Sequence, residues 1–357
     1  MIFESRVGRT IAEKLQTLVK TPGRDALEKG VKQAASRLEQ SPGMAVDVLH
    51  LSKPGVQVVK PYKVATYNVE NYFPEGVGKL GDRLQPLKTE EQKVLLGKGF
   101  HQLDSEVVGV QEIYDAATLG DFAKQKLSDM GYVDLAVSKG NDTRGINVGI
   151  MSQFPLKRVL SHADLLVQVP GEAEPRKMAR DLLQATVQAP GGDLEVFVVH
   201  LKSSHIPNGH EIADMAQKAG ISFDEMKASL LEKAAVQREA ESESVRGFVR
   251  EWNEANPGKP SVLLGDGNDV PTSKTVQILL GMHDQGEKMH NLVADELGPE
   301  AFTHHSPGGW QSEIDQLDVD DDLLKQVVPG STTIVKTPET EAASDHRPSR
   351  FTVNPAR

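Results

Sequence analysis

The chain after Pro61 alternates between two hydrophobic patterns. Short runs rich in Val, Ile and Leu predict strands, and longer stretches with apolar residues at helical spacing predict helices. The predicted strands are Val64–Asn68, Val107–Gln111, Val133–Val137, Asn147–Met151, Leu182–Gln188, Leu194–His200, Ser261–Gly265, Ile314–Val319 and Ser349–Val353. The predicted helices are Thr89–Leu103, Ala116–Met130, about Phe223–Trp252 and Ser273–Leu280.

Two of the predicted strands are apolar at successive positions, over 196–199 and 262–264, as in strands buried on both faces. Within the long predicted helix, an apolar stripe at helical spacing indicates a face turned to the core. Its members are Val245, Phe248, Val249 and Trp252. Many strands alternating with helices in one long region predict an α/β fold, with two packed sheets and helices outside.

The first 60 residues have a different pattern. Val7, Ile11, Leu15 and Leu18 mark one face of a short helix, and residues 26–38 form a second helical stretch. We therefore predict a basic helical N-terminal extension at 1–60, packed on one large domain at 61–357. The alternative is a basic arm that touches nucleic acid or a membrane.

Composition narrows the chemistry. Cysteine is absent from the 357 residues, which excludes disulfides, thiolate metal sites and cysteine nucleophiles. The formal net charge is −11, with +4 in residues 1–60 and −15 in the remainder. An acidic body is a poor general phosphate-binding surface, so a nucleic-acid partner would need a local basic groove or a metal ion.

Nothing in the sequence indicates a membrane protein. No apolar run approaches the length of a membrane span. Arg6, Arg9, Glu13 and Lys14 interrupt the segment where a signal peptide would have its apolar core. We expect a cytoplasmic protein with no integral membrane association and no obligate protein partner, and we leave unconventional export open.

Polar, chemically useful side chains recur where predicted strands begin or end. They are Asn68, Glu112, His200, Asp266 with Asn268, Asp315, and Asp345 with His346. Strand ends are where α/β proteins place ligands and catalytic groups. Oxygen ligands without cysteine suit a hard cation, Mg²⁺ or alternatively Mn²⁺. Hydrolysis of a phosphate ester needs this set, which supplies charge neutralisation, an aligned water and a protonated leaving group.

Seven short motifs follow one another in a recognisable order. They are Tyr67-Asn68-Val-Glu-Asn71, Gln111-Glu112, Arg144-Gly-Ile-Asn-Val-Gly-Ile-Met-Ser152, His200-Leu-Lys-Ser203, Gly265-Asp-Gly-Asn-Asp269, Ser312-Glu-Ile-Asp315 and Ser344-Asp-His-Arg-Pro348. In order and spacing, residues 61–355 resemble the endonuclease/exonuclease/phosphatase superfamily. The resemblance implies the deoxyribonuclease I-like fold, a four-layer α/β/β/α sandwich of two mixed sheets flanked by helices.

The resemblance also implies roles for individual residues. It makes Glu112 the principal metal ligand, with Asn68 and Asp345 as further members of the metal site. It makes Asp266 the group that orients or deprotonates water. The remaining implied catalytic residues are Asn268 and His200, which contact phosphate, and His346, which faces the scissile phosphate with Asp315 behind it.

Three basic residues are candidates for substrate binding: Arg144, Arg180 and Lys202. Asp142 is a candidate for the carboxylate behind His200. For Arg144, Arg180 and Asp142, a surface salt bridge is an equally good interpretation.

Three further segments have no assigned role or are expected to be exposed to solvent. Residues 204–223 form an unusual insertion, interpreted as a lid, a substrate loop or a connector. His304, His305 and Trp310 are candidates to line the site, although loop histidines are more often exposed. In the acidic run near 315, we expect Asp318 and 320–322 to be solvated.

Three functions remain in competition. The first is a Mg²⁺-dependent phosphodiester hydrolase, a nuclease that binds backbone with weak sequence preference. The second is a phosphatase or phosphodiesterase acting on inositol phosphate or phospholipid, similar to sphingomyelinases. The third, a non-catalytic scaffold, is disfavoured because every expected reactive position is filled. With only 10 Phe, 5 Tyr and 2 Trp, the chain offers little for base stacking.

Overall fold

The computed structural model describes residues 43–53, 59–77, 79–80, 83–84, 86–282, 286, 288–299, 301–306 and 309–355. The strands in these residues are β1 (Met44–Ala45), β2 (Leu49–His50), β3 (Tyr62–Tyr72), β4 (Lys79–Leu80), β5 (Arg83–Leu84), β6 (Val107–Ile113), β7 (Asp134–Val137), β8 (Asn147–Ser152), β9 (Leu156–Ser161), β10 (Leu166–Val167), β11 (Arg176–Lys177), β12 (Leu183–Ala189), β13 (Gly192–His200), β14 (Ser261–Asp266), β15 (His290–Asn291), β16 (His304–His305), β17 (Gln311–Ser312), β18 (Asp315–Val319), β19 (Thr333–Ile334) and β20 (Ser349–Val353). The helices are α1 (Glu90–Leu103), α2 (Ala116–Lys126), α3 (Gly209–Ala219), α4 (Phe223–Ala255), α5 (Lys274–Leu279), α6 (Leu292–Leu297), α7 (Asp321–Leu324) and α8 (Pro338–Ala343).

Two seven-stranded mixed sheets dominate the fold. The first has the order β1-β9-β12-β13-β14-β18-β15, and the second has the order β19-β20-β3-β6-β8-β7-β2. Each sheet contains one parallel pair, β13 with β14 and β3 with β6. Parallel neighbours end at the same edge of a sheet, so the carboxyl ends of each pair lie together. Every long strand predicted from the hydrophobic pattern is present in these sheets.

The main core lies between the two sheets. Val64 and Ile150 of the second sheet belong to the same buried cluster as Val196 and Leu264 of the first. The two sheets approach closely at Gly109 of β6, where an added Cβ would lie 2.0 Å from Leu264 Cδ1. Close-packed apolar faces of this kind fix the spacing between the sheets.

Helices cover the outer faces. On the second sheet, Tyr67 stacks against Phe100 of α1 with ring centroids 5.2 Å apart. On the first sheet, Phe248 and Trp252 of α4 pack against Phe197 of β13, at centroid distances of 6.3 and 5.7 Å. The predicted stripe of α4 is therefore core, and the four-layer α/β/β/α sandwich is confirmed.

Part of the predicted N-terminal extension belongs to the sheets. Strand β1 pairs with β9 of the first sheet, and β2 pairs with β7 of the second. The boundary at residue 60 is therefore too late, because residues 43–53 supply an edge strand to each sheet. The two predicted helices before residue 42 lie outside the described residues, and the extension there stays a prediction.

Among the elements that the hydrophobic pattern missed are β9 and α3. Strand β9 carries exposed Lys157 and Arg158, which interrupt the apolar alternation that marks a half-buried strand. Helix α3 lies inside the 204–223 insertion and buries only Ile212 and Ala216, too few for a clear stripe. In the described part of the chain, no helix is long and apolar enough to cross a membrane.

Part of the acidic run after Asp315 is buried, against the expectation that it is solvated, whereas Asp321 is exposed as expected. Asp318 is 0% exposed in β18, and neither of its carboxylate oxygens has a hydrogen-bond partner among the described residues. Asp320 is also buried and caps α7, accepting from the Leu323 amide at 2.7 Å. The cause is position: β18 lies between β14 and β15, within the first sheet. Burial, reinforced by Glu313 and Asp295, raises the pKa of Asp318 far above its ordinary value.

Removing the Asp318 charge should stabilise the fold at high pH. The folded-state pKa is raised, so ionisation costs more in the folded chain, and stability is lost as pH rises above the unfolded-state pKa of about 4. Asp318→Asn should therefore raise the free energy of unfolding at pH 8 by roughly 1–3 kcal/mol, with little change at pH 4. Urea unfolding at both pH values measures this, with exposed Asp214→Asn as control. An equal effect at both pH values would contradict it.

Candidate active site

Three predicted catalytic residues lie side by side at one edge of the first sheet. His200 is the register partner of Asp266 in the parallel pair β13–β14. Asp266 is in turn the partner of Asp315 in the antiparallel pair β14–β18. Register partners project to the same face, so pairing alone brings the three side chains together.

Asn68 joins this row from the second sheet. Its amide Nδ2 donates to Asp266 Oδ2 at 3.1 Å and lies 3.4 Å from His346 Nε2. The Glu70 amide donates to Asn68 Oδ1 at 3.0 Å, which fixes the orientation of the side chain. Asn68 is fully buried, so this contact forms a polar bridge between the two sheets.

Glu112 is aimed into the site by irregular backbone. Glu70, Asn71 and Glu112 have positive φ values of 49°, 50° and 65°, where the β3–β6 register shifts. Such conformations are costly for non-glycine residues and concentrate at functional sites. The Asn71 amide donates to Glu112 Oε2 at 2.8 Å, and Oε1 lies 3.9 Å from His200 Nε2. One carboxylate oxygen is thus anchored while the other faces the site.

His346 and Asp315 form the predicted dyad. His346 Nδ1 lies 2.8 and 3.1 Å from the two carboxylate oxygens of Asp315. Burial by itself lowers the pKa of His346, but Asp315, Asp266 and Asp345 outweigh it and raise that pKa well above its ordinary value. His346 is therefore held as an imidazolium, with Nε2 directed at Asp266 Oδ2, 3.7 Å away.

Burial shifts the pKa values of Asp266 and His200 in opposite directions. Burial raises the pKa of Asp266 to about 7, against the lowering effect of His346 and with further raising by Asp315 and Glu112. Burial also lowers the pKa of His200 well below its ordinary value, and nearby Arg180 lowers it further. A neutral His200 Nε2 therefore lies 3.4 Å from a carboxylate that binds a proton readily.

These groups open onto a cavity of about 180 Å³. Arg144 and Arg180 line it as predicted, and so do His304 and Trp310. Lys202 does not line this cavity; it lies in a neighbouring groove.

Asp142 does not lie behind His200. It sits 3.3 Å from Arg144 Nε and 3.3 Å from Arg180 Nε, so it orients both guanidinium groups. His200 Nδ1 is buried without a hydrogen-bond partner in the described residues.

Asn268 and Asp345 occupy the rim of the cavity. The Asn268 amide nitrogen of the backbone donates to Asp266 Oδ1 at 2.8 Å, and its side chain donates to the Leu201 carbonyl at 3.0 Å. Asp345 lies 3.7 Å from His304 Nε2 and 3.9 Å from His346 Nε2. These histidines lower the pKa of Asp345 against the raising effect of burial.

The donor set fits a hard divalent cation. Among the described residues, no Lys or Arg lies within ion-pair distance of Glu112, Asp266 or Asp345. The positive groups nearest these three carboxylates are therefore histidines, while Arg144 and Arg180 of the same cavity pair with Asp142. Glu112 and Asp345 offer carboxylate oxygens there, which are the ligands that Mg²⁺ and Mn²⁺ prefer.

Two hydroxyls that sequence reasoning missed hold the site together. The Thr303 hydroxyl accepts from the amides of Ile314 and Asp315 at 3.0 and 3.1 Å. The Ser344 hydroxyl donates to the Asn68 carbonyl at 2.7 Å and accepts from the His346 amide at 3.1 Å. Ser344 stands in the recognised Ser344-Asp-His motif, so its place there was the available signal; Thr303 has no comparable signal.

Comparison with solved structures identifies the fold. Over 86% of this chain and 96% of the other, the human Nocturnin catalytic domain with bound sulfate is similar at a TM-score of 0.55 and 14% identity. Humanized D. rerio TDP2 is similar over 82% of this chain and 99% of its own, with a TM-score of 0.52 and 16% identity. An endonuclease/exonuclease/phosphatase from Bacteroides vulgatus is similar over 82% of this chain and 98% of its own. Its TM-score is also 0.52 and its identity 16%.

The deoxyribonuclease I-like fold that the motifs implied is confirmed by these structural similarities. No protein-family model matches the sequence, and no curated protein matches it.

The Ser344 hydroxyl should contribute measurably to stability. Ser344→Ala removes both hydrogen bonds and leaves the buried Asn68 carbonyl without that donor, which should cost roughly 1–3 kcal/mol of unfolding free energy. Ser349→Ala is the matched control, because Ser349 is fully buried and its hydroxyl has no partner among the described residues. Urea unfolding compares the two variants. Equal stability of both would show that the Ser344 bridge contributes nothing.

Proposed function

We propose that this protein is a Mg²⁺-dependent phosphodiester hydrolase, and specifically a nuclease with weak sequence preference. One observation carries the proposal. A proton-accepting carboxylate, Asp266, and a protonated imidazole, His346, face each other in a buried site between the two sheets. A carboxylate and an imidazole whose pKa values are both displaced from their ordinary range, in one buried site, are typical of acid–base chemistry.

Asp266 is suited to hold and deprotonate a water. Its Oδ1 is anchored by the Asn268 backbone amide, and its Oδ2 is held by Asn68. A carboxylate with a pKa near 7 accepts a proton effectively at neutral pH. These two contacts would keep that acceptor oriented toward a water in the cavity.

His346 is suited to meet the negative charge of a phosphoryl group. Asp315 fixes its Nδ1, which leaves Nε2 with the proton that faces the cavity. That proton can be donated to a phosphate oxygen or to the leaving oxygen. Arg144 and Arg180, oriented by Asp142, add two further donors on the cavity wall.

A divalent cation held by Glu112 and Asp345 would neutralise charge on the phosphoryl oxygens. Asn68 would support this site by holding Asp266 beside it. Mg²⁺ is our first choice, with Mn²⁺ as the alternative, because all the available ligands are oxygens or imidazoles.

Several observations support a phosphodiester substrate. The Nocturnin catalytic domain was solved with bound sulfate, a tetrahedral oxyanion like phosphate, and the Bacteroides vulgatus protein bears the name endonuclease/exonuclease/phosphatase. The low aromatic content leaves little for base stacking, so a nuclease of this composition would bind the strand through its backbone with weak sequence preference.

We propose a cytoplasmic location for this protein.

Asp266→Asn and His346→Ala should each reduce kcat roughly 100- to 10,000-fold, the usual contribution of a positioned acid or base. The assay is cleavage of plasmid DNA, single-stranded DNA and RNA with Mg²⁺. Asp193→Asn and His101→Ala, both on the surface away from the cavity, are the matched controls. Near-normal turnover by either site variant would reject its assigned role.

Chelation separates the metal-dependent mechanism from its competitors. EDTA should abolish cleavage and added Mg²⁺ should restore it, because the carboxylate-rich site needs a cation to accept an anionic substrate. The same assay includes inositol phosphates and sphingomyelin. Turnover of those alone would replace the nuclease by the phosphatase alternative, and turnover in EDTA would overturn the mechanism.

A further inference from the structure

A second cavity lies beside the candidate active site. It is a groove of about 610 Å³ with three walls: the loop at 169–176, the segment at 202–207 and residues 229–237 of α4. Its volume falls within the roughly 300–1,000 Å³ typical of ligand sites. Among the described residues, the recognised motifs reach this groove only through Lys202, and no member of the acid–base cluster lines it.

The groove and the active-site cavity share one short segment of chain. His200, Ser203 and Ser204 line the cavity, while Lys202 and His205 line the groove. The two spaces therefore adjoin at this segment, and a ligand that occupies both would cross Ser203 and Ser204.

Positive charge continues along the same path. Arg144 and Arg180 share a single carboxylate, Asp142, at the cavity. Lys202 makes no ion pair within the described chain, and its Nζ donates to the Ser203 carbonyl at 2.6 Å. Burial and the nearby Arg180 lower the pKa of Lys202, as expected where cations crowd together.

Arg176 and Lys233 carry the charge to the far walls. Arg176 comes from β11 and Lys233 from the exposed first part of α4, and both line the groove. Two carboxylates, Glu172 and Glu232, also line it, and Glu172 lies 3.4 Å from Arg176. An exposed pair of this kind contributes little energy, so it is a weak competitor for a phosphate at Arg176.

Apolar side chains make up much of the groove lining. They are Val169, Pro170, Ile206, Pro207, Leu230 and Val236, and His205 is the only ring other than proline among the described residues there. A lining that combines apolar and cationic side chains suits both the bases and the phosphates of a strand. The lack of large aromatic side chains predicts little base preference.

We infer that this groove binds the continuation of a single nucleic-acid strand whose scissile phosphate lies at Asp266 and His346. The inference rests on the proposed nuclease function. A strand with repeated phosphates uses basic side chains in both spaces, whereas a single headgroup phosphate would use only the cavity. The 204–223 insertion then has a role, because it leads from the lining segment through α3 into the groove-forming turns of α4.

Charge reversal at the groove tests the inference. The variant is Arg176→Glu combined with Lys233→Glu. The matched control is Lys177→Glu combined with Lys227→Glu, which makes the same charge change on β11 and α4 at exposed residues that do not line the groove. Thermal melting of both variants verifies that they fold.

The first readout is binding of a fluorescein-labelled dT12 oligonucleotide, measured by anisotropy in EDTA. The groove variant should bind at least about 10-fold more weakly than the control. Loss of two phosphate contacts should also reduce the slope of log K against log salt by about 1.4, since each contact contributes about 0.7. Equal affinities and slopes for the groove and control variants would overturn the inference.

The second readout is the ratio of kcat/KM on dT12 to that on bis(p-nitrophenyl) phosphate with Mg²⁺. This ratio should fall about 10-fold in the groove variant and stay unchanged in the control. If wild type cleaves neither substrate, the proposed function fails, while the binding readout still decides the groove. If wild type binds phosphatidylinositol phosphate vesicles but not dT12, the nucleic-acid occupant is wrong.

Discussion

The hydrogen bond from Asn68 to Asp266 is the contact on which the site depends, because it joins residues that two different sheets deliver. Elsewhere the sheets meet through apolar side chains, whose packing sets their separation without specifying polar geometry. At this edge, one buried amide bridges the sheets, and the Ser344 hydroxyl ties the same Asn68 residue to His346. Any change in sheet spacing would therefore disturb both the base, Asp266, and the acid, His346.

This arrangement concentrates negative charge where burial makes charge costly. Asp315 is compensated by His346, and Asp266 is left with a raised pKa that marks the remaining cost. The large apolar core between the sheets must offset this free-energy cost, as the rest of a protein commonly does for a destabilising functional site. The resulting site is poised to accept a cation and an anionic ester together, which is the chemistry we propose for it.

Much of this could be predicted from the sequence, since hydrophobic runs identify strands and polar residues at their ends identify an edge. Contacts between side chains that are distant in sequence were harder to predict. The pattern could not show that Asp142 orients two arginines instead of His200, or that Lys202 faces a separate groove. Nor could it show that Asp318 is buried, because an unpaired aspartate is almost never fully buried and is therefore predicted to face solvent. Helix α3 and strand β9 were missed since each carries too little regular apolar spacing.

The central claim is that carboxylates from both sheets converge on a cation site. Anomalous diffraction from crystals grown with Mn²⁺ tests this most directly, because Mn²⁺ scatters anomalously and prefers the same ligands as Mg²⁺. The account predicts an anomalous peak within about 2.0–2.6 Å of a Glu112 carboxylate oxygen, in the cavity that Asp345 and Asp266 also line. Well-ordered crystals with no peak in that cavity, or with Mn²⁺ bound only elsewhere on the protein, would contradict it.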